Sequence, residues 1–200
     1  DLGYSDPDDV DAGVSFTVSA LTNGTVRVGG VAVTSFTGTQ LVAGAVSFLH
    51  DGGESTAASF NVLVEDGNED GSTPVASTFN LTVTPVNDAP VLTGDLSATV
   101  LEGGSYTITG TDLGYSDPDD VDAGVSFTVS ALTNGTVRVG GVAVTSFTGT
   151  QLVAGAVSFL HDGGESTAAS FNVLVEDGNE DGSTPVASTF NLTVTPVNDA

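Results

Sequence analysis

The feature that most constrains this chain is an internal repeat, because repeated units usually fold as copies of one domain. Residues 1–89 recur letter for letter as residues 112–200, and residues 90–111 lie between the two copies. One complete repeat therefore spans 90–200, and residues 1–89 form a repeat without its first 22 residues. Two domains with separate active sites seldom stay identical, so the identity favours a part whose role is to be repeated. Recent duplication also explains it, and we expect the natural chain to hold more copies.

The charge of the chain excludes whole classes of partner. It has 26 acidic residues against two basic ones, Arg27 and Arg138, and its formal net charge is −24. Because almost nothing can neutralise phosphates, a nucleic-acid partner is excluded and adsorption to anionic lipid is disfavoured. No apolar run approaches the ~20 residues of a membrane helix, so we predict no membrane insertion. Such a charge repels itself in a folded protein, and we expect divalent cations to compensate it.

Apolar and polar residues alternate over most of the complete repeat, the pattern of half-buried β-strands. About seven short strands in a repeat of roughly 110 residues predict an all-β protein of tandem Ig-like antiparallel β-sandwich domains. Asn134-Gly135 indicates a two-residue hairpin, Gly140-Gly141 and Gly163-Gly164 indicate further turns, and residues 151–154 favour a helical turn. The alternating segments are 106–109, 125–129, 136–139, 142–145, 156–160, 170–175 and 189–194.

The first copy lacks two of the predicted strands, those near Ser97–Leu101 and Tyr106–Thr109 of the complete repeat. Their absence would expose the core and an edge of a sheet. Three explanations stay open: the strands are present in the protein but missing from its structure, a neighbouring chain supplies them by strand addition, or the point at which the repeat is cut is arbitrary.

Acidic residues concentrate at the predicted strand ends and turns. Carboxylates on loops suit a hard cation such as Ca²⁺, whereas Zn²⁺ is disfavoured by the lack of Cys and by one His per copy. A single acidic loop is as readily explained by solvation, but five with almost no counter-charge favour calcium binding. The clusters of the complete repeat are Glu102; Asp117, Asp119, Asp120 and Asp122; Asp162 and Glu165; Glu176, Asp177, Glu180 and Asp181; and Asp199.

Several of these motifs resemble those of cadherins. Residues 85–90, PVNDAP, resemble the calcium-binding linker between cadherin domains, and residues 117–119 resemble the cadherin Asp-x-Asp pair. The body of the repeat, residues 147–178, looks most like the cadherin-like repeats of giant bacterial surface adhesins, which are related to those of chondroitin sulfate proteoglycans. NDAP replaces the longer cadherin linker motif and DGGE the usual acidic tripeptide, so the number of ions per junction can differ.

The resemblance implies Ca²⁺ sites built from two successive repeats and the linker between them. Glu102 is similar to the glutamate near the first cadherin strand, Asp162 and Glu165 to the mid-domain acidic pair, and Asp177 to the late single aspartate. The implied ligands at the internal junction are Asp51, Glu54, Asn87, Asp88, Asp117, Asp119 and Asp177. Those for the next junction are Glu102, Asp162, Glu165, Asn198 and Asp199, and those for the previous one are Asp6, Asp8 and Asp66.

Two function classes follow. The favoured one is a calcium-rigidified, non-enzymatic extender of a long extracellular adhesin or filament, whose partners are neighbouring identical repeats and, by strand addition or filament assembly, other copies. The alternative is a calcium-dependent carbohydrate- or protein-binding module, which a concave aromatic-lined pocket would favour. Both predict a secreted or cell-surface location.

Three other motifs give weaker evidence of function. Residues 177–182 match the opening of an EF-type calcium loop, but the twelfth position is Ser188 and no flanking helices are predicted. His161 has no nucleophile motif near it, so we predict a turn histidine that bonds locally. The carboxylate pairs lie beside turn glycines in a chain without Trp, which argues against a glycosidase.

Overall fold

The structure, a computed structural model, describes residues 2–7, 10–67, 71, 73–178 and 182–198. It divides into two compact units, Asp1–Pro85 and Val86–Ala200. Among the described residues, no helix has the length and apolarity needed to cross a membrane.

Within its described residues, unit 1 is built from two antiparallel sheets and one short helix. The first sheet has the order β4-β1-β6-β7, and the second has the order β3-β2-β5. Its elements are β1 Ser15–Thr22, β2 Gly24–Val28, β3 Val31–Ala32, β4 Ser35–Thr37, α1 Gly38–Val42, β5 Val46–His50, β6 Ala57–Glu65 and β7 Ser77–Thr82.

Unit 2 has the same arrangement with four further strands. Its elements are β8 Val91–Thr93, β9 Ser97–Leu101, β10 Ser105–Thr107, β11 Gly114–Ser116, β12 Ser126–Thr133, β13 Gly135–Val139, β14 Val142–Ala143, β15 Ser146–Thr148, α2 Gly149–Val153, β16 Val157–His161, β17 Ala168–Glu176 and β18 Ser188–Thr195. The larger sheets have the orders β15-β12-β17-β18-β9 and β10-β16-β13-β14, and β11 pairs with β8.

The core of unit 2 lies between its two larger sheets. Alternate residues of β17 are buried, as period two requires, and those of β18 face the same core. Phe171 on β17 stacks on Phe190 of β18 with ring centroids 4.9 Å apart, and Phe159 from the other sheet lies 6.1 Å from Phe171. The prediction of an all-β, Ig-like sandwich is confirmed.

The predicted helical turn is confirmed as α2, which begins two residues earlier than expected. Thr148 caps it: its Oγ1 accepts a hydrogen bond from the Gln151 N–H at 3.2 Å, while Gln151 Oε1 accepts one from the Thr148 N–H at 2.9 Å. This reciprocal capping box satisfies two backbone donors at the start of a helix of only five residues.

The predicted hairpin at Asn134-Gly135 is wrong. The strands on either side of it belong to different sheets, because β12 pairs with β15 and β17 whereas β13 pairs with β14 and β16. Asn134 has φ +55°, and its side-chain Nδ2 donates to the Ala168 carbonyl at 2.8 Å, which fixes a turn that carries the chain from one sheet to the other. The two-residue hairpin is instead at Gly140-Gly141, where both φ angles are positive and Val139 pairs with Val142.

The two strands absent from the first copy pair with both larger sheets of unit 2. β9 lies parallel to β18, and β10 lies antiparallel to β16. Among the described residues of unit 1, β7 and β5, the counterparts of β18 and β16, have no such neighbours.

Candidate metal centre

A tight loop positions the first acidic residue of the site. Asp117 follows directly after β11, and its Oδ1 accepts hydrogen bonds from the backbone N–H groups of Asp119 and Asp120, both at 2.8 Å. Such bonds from a side chain to the backbone two and three residues on are how Asp shapes a turn. They curl the loop so that Asp120 returns towards Asp117, while Asp117 Oδ2 stays available.

A second carboxylate comes from the far end of β17. Asp177 follows that strand directly and is 6% exposed. Its Oδ2 accepts a hydrogen bond from Asn87 Nδ2 at 2.5 Å. Two buried oxygens, Asp177 Oδ1 and Asp117 Oδ2, have no hydrogen-bond partner within the part of the chain that the structure describes. Buried polar atoms are normally paired, so this pair of oxygens calls for a ligand.

Three carboxylates converge at this point of unit 2. One oxygen each from Asp117, Asp120 and Asp177 lies within 4.8 Å of the others. Asp117 and Asp120 are partly buried, so solvent screens their mutual repulsion less than it would at the surface. The group can therefore hold a cation, and without one it carries uncompensated negative charge.

The linker residues are attached to the same end of unit 2. Besides the bond from Asn87 to Asp177, the backbone N–H of Asp88 donates to Asp119 Oδ2 at 2.7 Å. Five of the predicted ligands therefore come together here: Asn87, Asp88, Asp117, Asp119 and Asp177. Asp120 belongs to the same predicted acidic cluster but was not among the predicted ligands, although its spacing from Asp117 suits a turn that brings both carboxylates together.

The negative charge of this region affects the pKa of Tyr115. Its hydroxyl donates to Asp122 Oδ1 at 2.6 Å. Burial, this hydrogen bond and the charges of Asp122, Asp117 and Asp120 raise the pKa of Tyr115 to about 12. The phenol stays neutral because ionisation would add another negative charge beside the carboxylates.

Three of the ligands predicted for the next junction, Glu102, Asp162 and Glu165, lie on two neighbouring loops. His161 connects these loops, because its Nδ1 accepts hydrogen bonds from the Gly103 N–H at 3.1 Å and the Gly163 N–H at 3.2 Å. Glu102 Oε2 accepts a hydrogen bond from the Val197 N–H at 2.9 Å, and Asp162 Oδ1 accepts one from Gly164. Among the described residues, Glu102, Asp162 and Glu165 do not converge as the three aspartates do.

The remaining predicted ligands stay predictions. Asn198 is exposed near the end of the described chain, and Asp199 lies outside the described residues. In unit 1, Asp51 and Glu54 follow β5, and Asp51 Oδ1 accepts a hydrogen bond from the Gly53 N–H at 3.1 Å. Asp6 and Asp66 line one small cleft of that unit, whereas Asp8 lies outside the described residues.

The two remaining sequence motifs are the match to an EF-type loop and His161. The EF-type reading needs Asn179 and Asp181, which lie outside the described residues, while Asp177 belongs to the carboxylate group described above. The prediction of a locally bonded turn histidine is confirmed, because His161 Nε2 lies 2.8 Å from Ser166 Oγ and Nδ1 accepts the two glycine N–H groups.

Comparison with known proteins gives one family match and several similar proteins. A model of the family described as cadherin-like matches residues 1–83 and 90–194. The chain is 31% identical over 153 residues to Extracellular matrix protein 3 of Lytechinus variegatus and 33% identical over 138 residues to human Chondroitin sulfate proteoglycan 4. These matches cover 74% and 66% of the chain but only 5% and 6% of the relatives, so the chain spans about a twentieth of their length.

Two further similarities are to a curated protein and to a solved structure. Mouse Extracellular matrix organizing protein FRAS1 is 27% identical over 187 residues, which are 85% of this chain and 5% of the relative. Among solved structures, chicken VE-cadherin EC1-2 is 15% identical, with a TM-score of 0.45 and coverage of 98% of this chain and 90% of that one. Extracellular matrix protein 3 and FRAS1 are named as extracellular matrix proteins, and the predicted extracellular location is confirmed. The chain belongs to the cadherin-like family.

Proposed function

We propose that this chain is a calcium-stiffened spacer, a non-catalytic segment of a long extracellular adhesin or filament. The observation that carries the proposal is the pair of buried, unpartnered oxygens, Asp117 Oδ2 and Asp177 Oδ1, within the group formed with Asp120. Leaving one buried polar atom unpaired costs about 1–3 kcal/mol, and a bound cation would satisfy both.

The donor set fits Ca²⁺. Calcium takes six to eight oxygens at about 2.3–2.6 Å, so two ligands on opposite sides of one ion stand about 5 Å apart. The three carboxylate oxygens, all within 4.8 Å of one another, therefore fit around a single ion. They come from loops and include no nitrogen or sulfur, which suits a hard cation with flexible coordination.

The linker gives the ion a mechanical role. Asn87 and Asp88 are held to unit 2 by two hydrogen bonds, one of them to the ligand Asp177 itself. An ion bound by Asp117, Asp120 and Asp177 would fix the loops on which these linker residues rest. Without it, the carboxylates repel one another and we expect the linker to loosen. Consecutive repeats would then lose a fixed orientation.

The sequence repeat and the curated relatives support a structural role for the chain. The two copies are identical over 89 residues, which suits a part selected for length, and the curated relatives are extracellular matrix proteins. The histidine of the complete repeat is committed to holding two loops together, with both ring nitrogens in hydrogen bonds. A protein of the adhesin type is the setting in which such a spacer would serve.

The test compares stability and length with and without calcium. An ion present at ~100 times its Kd adds about 2.7 kcal/mol per site, so the melting temperature in millimolar Ca²⁺ should exceed that in EDTA. Small-angle scattering on four tandem complete repeats should give a larger maximum dimension with Ca²⁺, because a stiff linker keeps the repeats extended. The nine-residue strand of each repeat, roughly 30 Å long, sets the scale of the expected length per repeat. Identical melting curves would reject the calcium site, and identical dimensions with a calcium-dependent melt would reject the spacer alone.

A further inference from the structure

Two of the three converging carboxylates of unit 2 lie on a short loop, residues 117–124, which we call the acidic loop. It begins directly after β11 and leads to β12. Asp117 and Asp120 belong to this loop, and Asp177 at the end of β17 supplies the third carboxylate. Asp177 is 6% exposed, and its Oδ1 has no hydrogen-bond partner among the described residues. The group therefore needs a ligand, and the shape of the acidic loop decides how well it can hold one.

Gly124 lies against the Asp120 carboxylate at the end of the acidic loop. A Cβ atom at position 124 would collide with Asp120 Oδ1 and stand 2.9 Å from Asp120 Cγ. Carbon atoms in contact are normally about 3.5–4.0 Å apart, so the carboxylate would have to move. The Asp120 side chain can occupy its place because residue 124 has no side chain.

The backbone at Gly124 does not itself require glycine. Its φ lies outside the left-handed region, so Ala can adopt the same conformation. Gly124 is exposed, and its N–H donates to the Val121 carbonyl at 2.8 Å, a bond that Ala would keep. The atoms that a Cβ would displace belong to the far end of the Asp120 side chain and not to backbone. We therefore expect Ala at position 124 to move one carboxylate at little cost to the fold.

A hydrogen bond closes the acidic loop across its base. Tyr115 lies in β11, two residues before Asp117, and its hydroxyl donates to Asp122 Oδ1 at 2.6 Å. The Asp122 carbonyl accepts a second hydrogen bond, from the Thr150 N–H of α2 at 3.0 Å. Asp122 thus fixes the loop, and Asp117 and Asp120 lie between the two residues that are joined.

Helix α2 packs closely against this closure. A Cβ atom at Gly149 would stand 2.8 Å from the Asp122 carbonyl oxygen and 3.2 Å from Tyr115 Cε1. The Gly149 N–H donates to the Val125 carbonyl at 2.9 Å, just beyond the end of the acidic loop. The closure is therefore held by the body of the unit, so the two joined residues cannot shift freely.

Unit 1 forms the same closure. The Tyr4 hydroxyl donates to Asp11 Oδ1, and the Thr39 N–H donates to the Asp11 carbonyl at 3.0 Å. Gly38 is as close to this carbonyl as its counterpart is in unit 2, because a Cβ there would stand 2.7 Å from the Asp11 oxygen. The closure therefore follows from residues that the two copies share.

We propose that Tyr115 and Gly124 are positioning residues of the cation site, which hold the carboxylates of Asp117 and Asp120 together before Ca²⁺ binds. This inference rests on the proposed calcium function and adds to it two residues that are not ligands. Carboxylates that converge without a cation repel one another, and a loop fixed at its base opposes their separation. A site that is already formed loses less conformational freedom when the ion binds, so its affinity is higher.

The first experiment titrates the 200-residue protein and its Gly124→Ala variant with Ca²⁺ alone, by calorimetry. The heat that belongs to the site of unit 2 is the part that Asp177→Asn removes. Gly124→Ala should raise the Kd of this site about 10–100-fold, the usual effect of disturbing a metal ligand through its neighbour. The matched control is Gly110→Ala, an exposed glycine of unit 2 whose added Cβ would meet nothing within 4 Å. It should leave the Kd unchanged, and both variants should melt alike in EDTA.

The second experiment removes only a hydroxyl. Tyr115→Phe should also raise the Kd about 10–100-fold, at a temperature where the protein is folded with and without Ca²⁺. Its control is Tyr106→Phe, which loses a hydrogen bond to another carboxylate of unit 2, that of Asp112, at 3.1 Å. A general loss of stability would affect both variants, whereas a positioning role predicts that only Tyr115→Phe binds Ca²⁺ more weakly.

Carboxyl-carbon NMR measures the positioning directly. In the parent, Ca²⁺ should shift the side-chain resonances of Asp117, Asp120 and Asp177 together, and in Gly124→Ala that of Asp120 should no longer follow the other two. The inference is overturned if either variant binds Ca²⁺ like the parent, if the controls lose as much affinity, or if Asp120 still responds in Gly124→Ala. A parent protein that binds no Ca²⁺ would reject the calcium function itself, and this inference with it.

Discussion

Replacing Asp177 by Asn separates the two roles of the acidic group. Asn keeps an oxygen that can accept the hydrogen bond from Asn87, which in the parent goes to Asp177 Oδ2. Its amide replaces a charge and offers two N–H donors near the unpaired Oδ2 of Asp117. We therefore expect Asp177→Asn to stabilise unit 2 in EDTA and to destabilise it, relative to the parent, in calcium.

The magnitude follows from the separation of the carboxylates. Two unit charges 4.8 Å apart repel by about 0.9 kcal/mol in water and by about 3.5 kcal/mol at an effective dielectric constant of 20. Asp177 faces two such charges, and its partner carboxylates are partly solvated, so a gain of about 2 kcal/mol in EDTA is expected. In calcium at ~100 times Kd, the parent gains about 2.7 kcal/mol, or roughly 10 °C for a unit of this size, which the variant should lose.

Differential scanning calorimetry of the 200-residue protein measures both effects. The matched control is Asp66→Asn, the same residue in the same local sequence of unit 1, where the linker residues that correspond to Asn87 and Asp88 are not part of the sequence. It should leave the calcium-dependent gain of unit 2 intact. If Asp177→Asn shifts the melting of unit 2 by the same amount and sign in both buffers, the carboxylates are not repelling one another around a cation site and the reasoning is refuted.

Three further predictions test the fold around the site. Ile108→Ala should cost unit 2 about 2–5 kcal/mol in denaturant unfolding because the side chain is 0% exposed, whereas Val142→Ala, 68% exposed, should cost under about 0.5 kcal/mol. His161→Ala should destabilise unit 2 more than His50→Ala destabilises unit 1, since only His161 accepts the bond from Gly103; equal losses would contradict this. The raised pKa of Tyr115, about 12 against 10.0 in the unfolded chain, stabilises unit 2 fully below pH 10 and is lost as pH rises through 12, because the unfolded phenol ionises first. Phenolate absorbance showing Tyr115 half-ionised at pH 10, by difference from Tyr115→Phe, would disprove it.

The local pattern of the sequence determined the elements of this protein. Period two placed the strands, as in segment 170–175, which lies within β17. It works because a strand's alternation is set by neighbours two residues away, whatever the strand pairs with. The acidic run at residues 117–120 and the linker could be recognised for a similar reason, since turns and metal ligands have characteristic residue types.

Contacts between segments distant in sequence decided which sheet each strand joins, which carboxylates meet and which side chains are buried. Asn134-Gly135 has the composition of a hairpin, yet its flanking strands join different sheets because each finds its partners elsewhere in the chain. Asp120 joins Asp117 and Asp177 only once β11 and β17 end at the same side of the unit. Phe48 and Phe159 show most directly that local sequence does not determine burial. They share one sequence context, but only Phe159 is buried. Its burial depends on residues 90–111, which are distant from it in sequence.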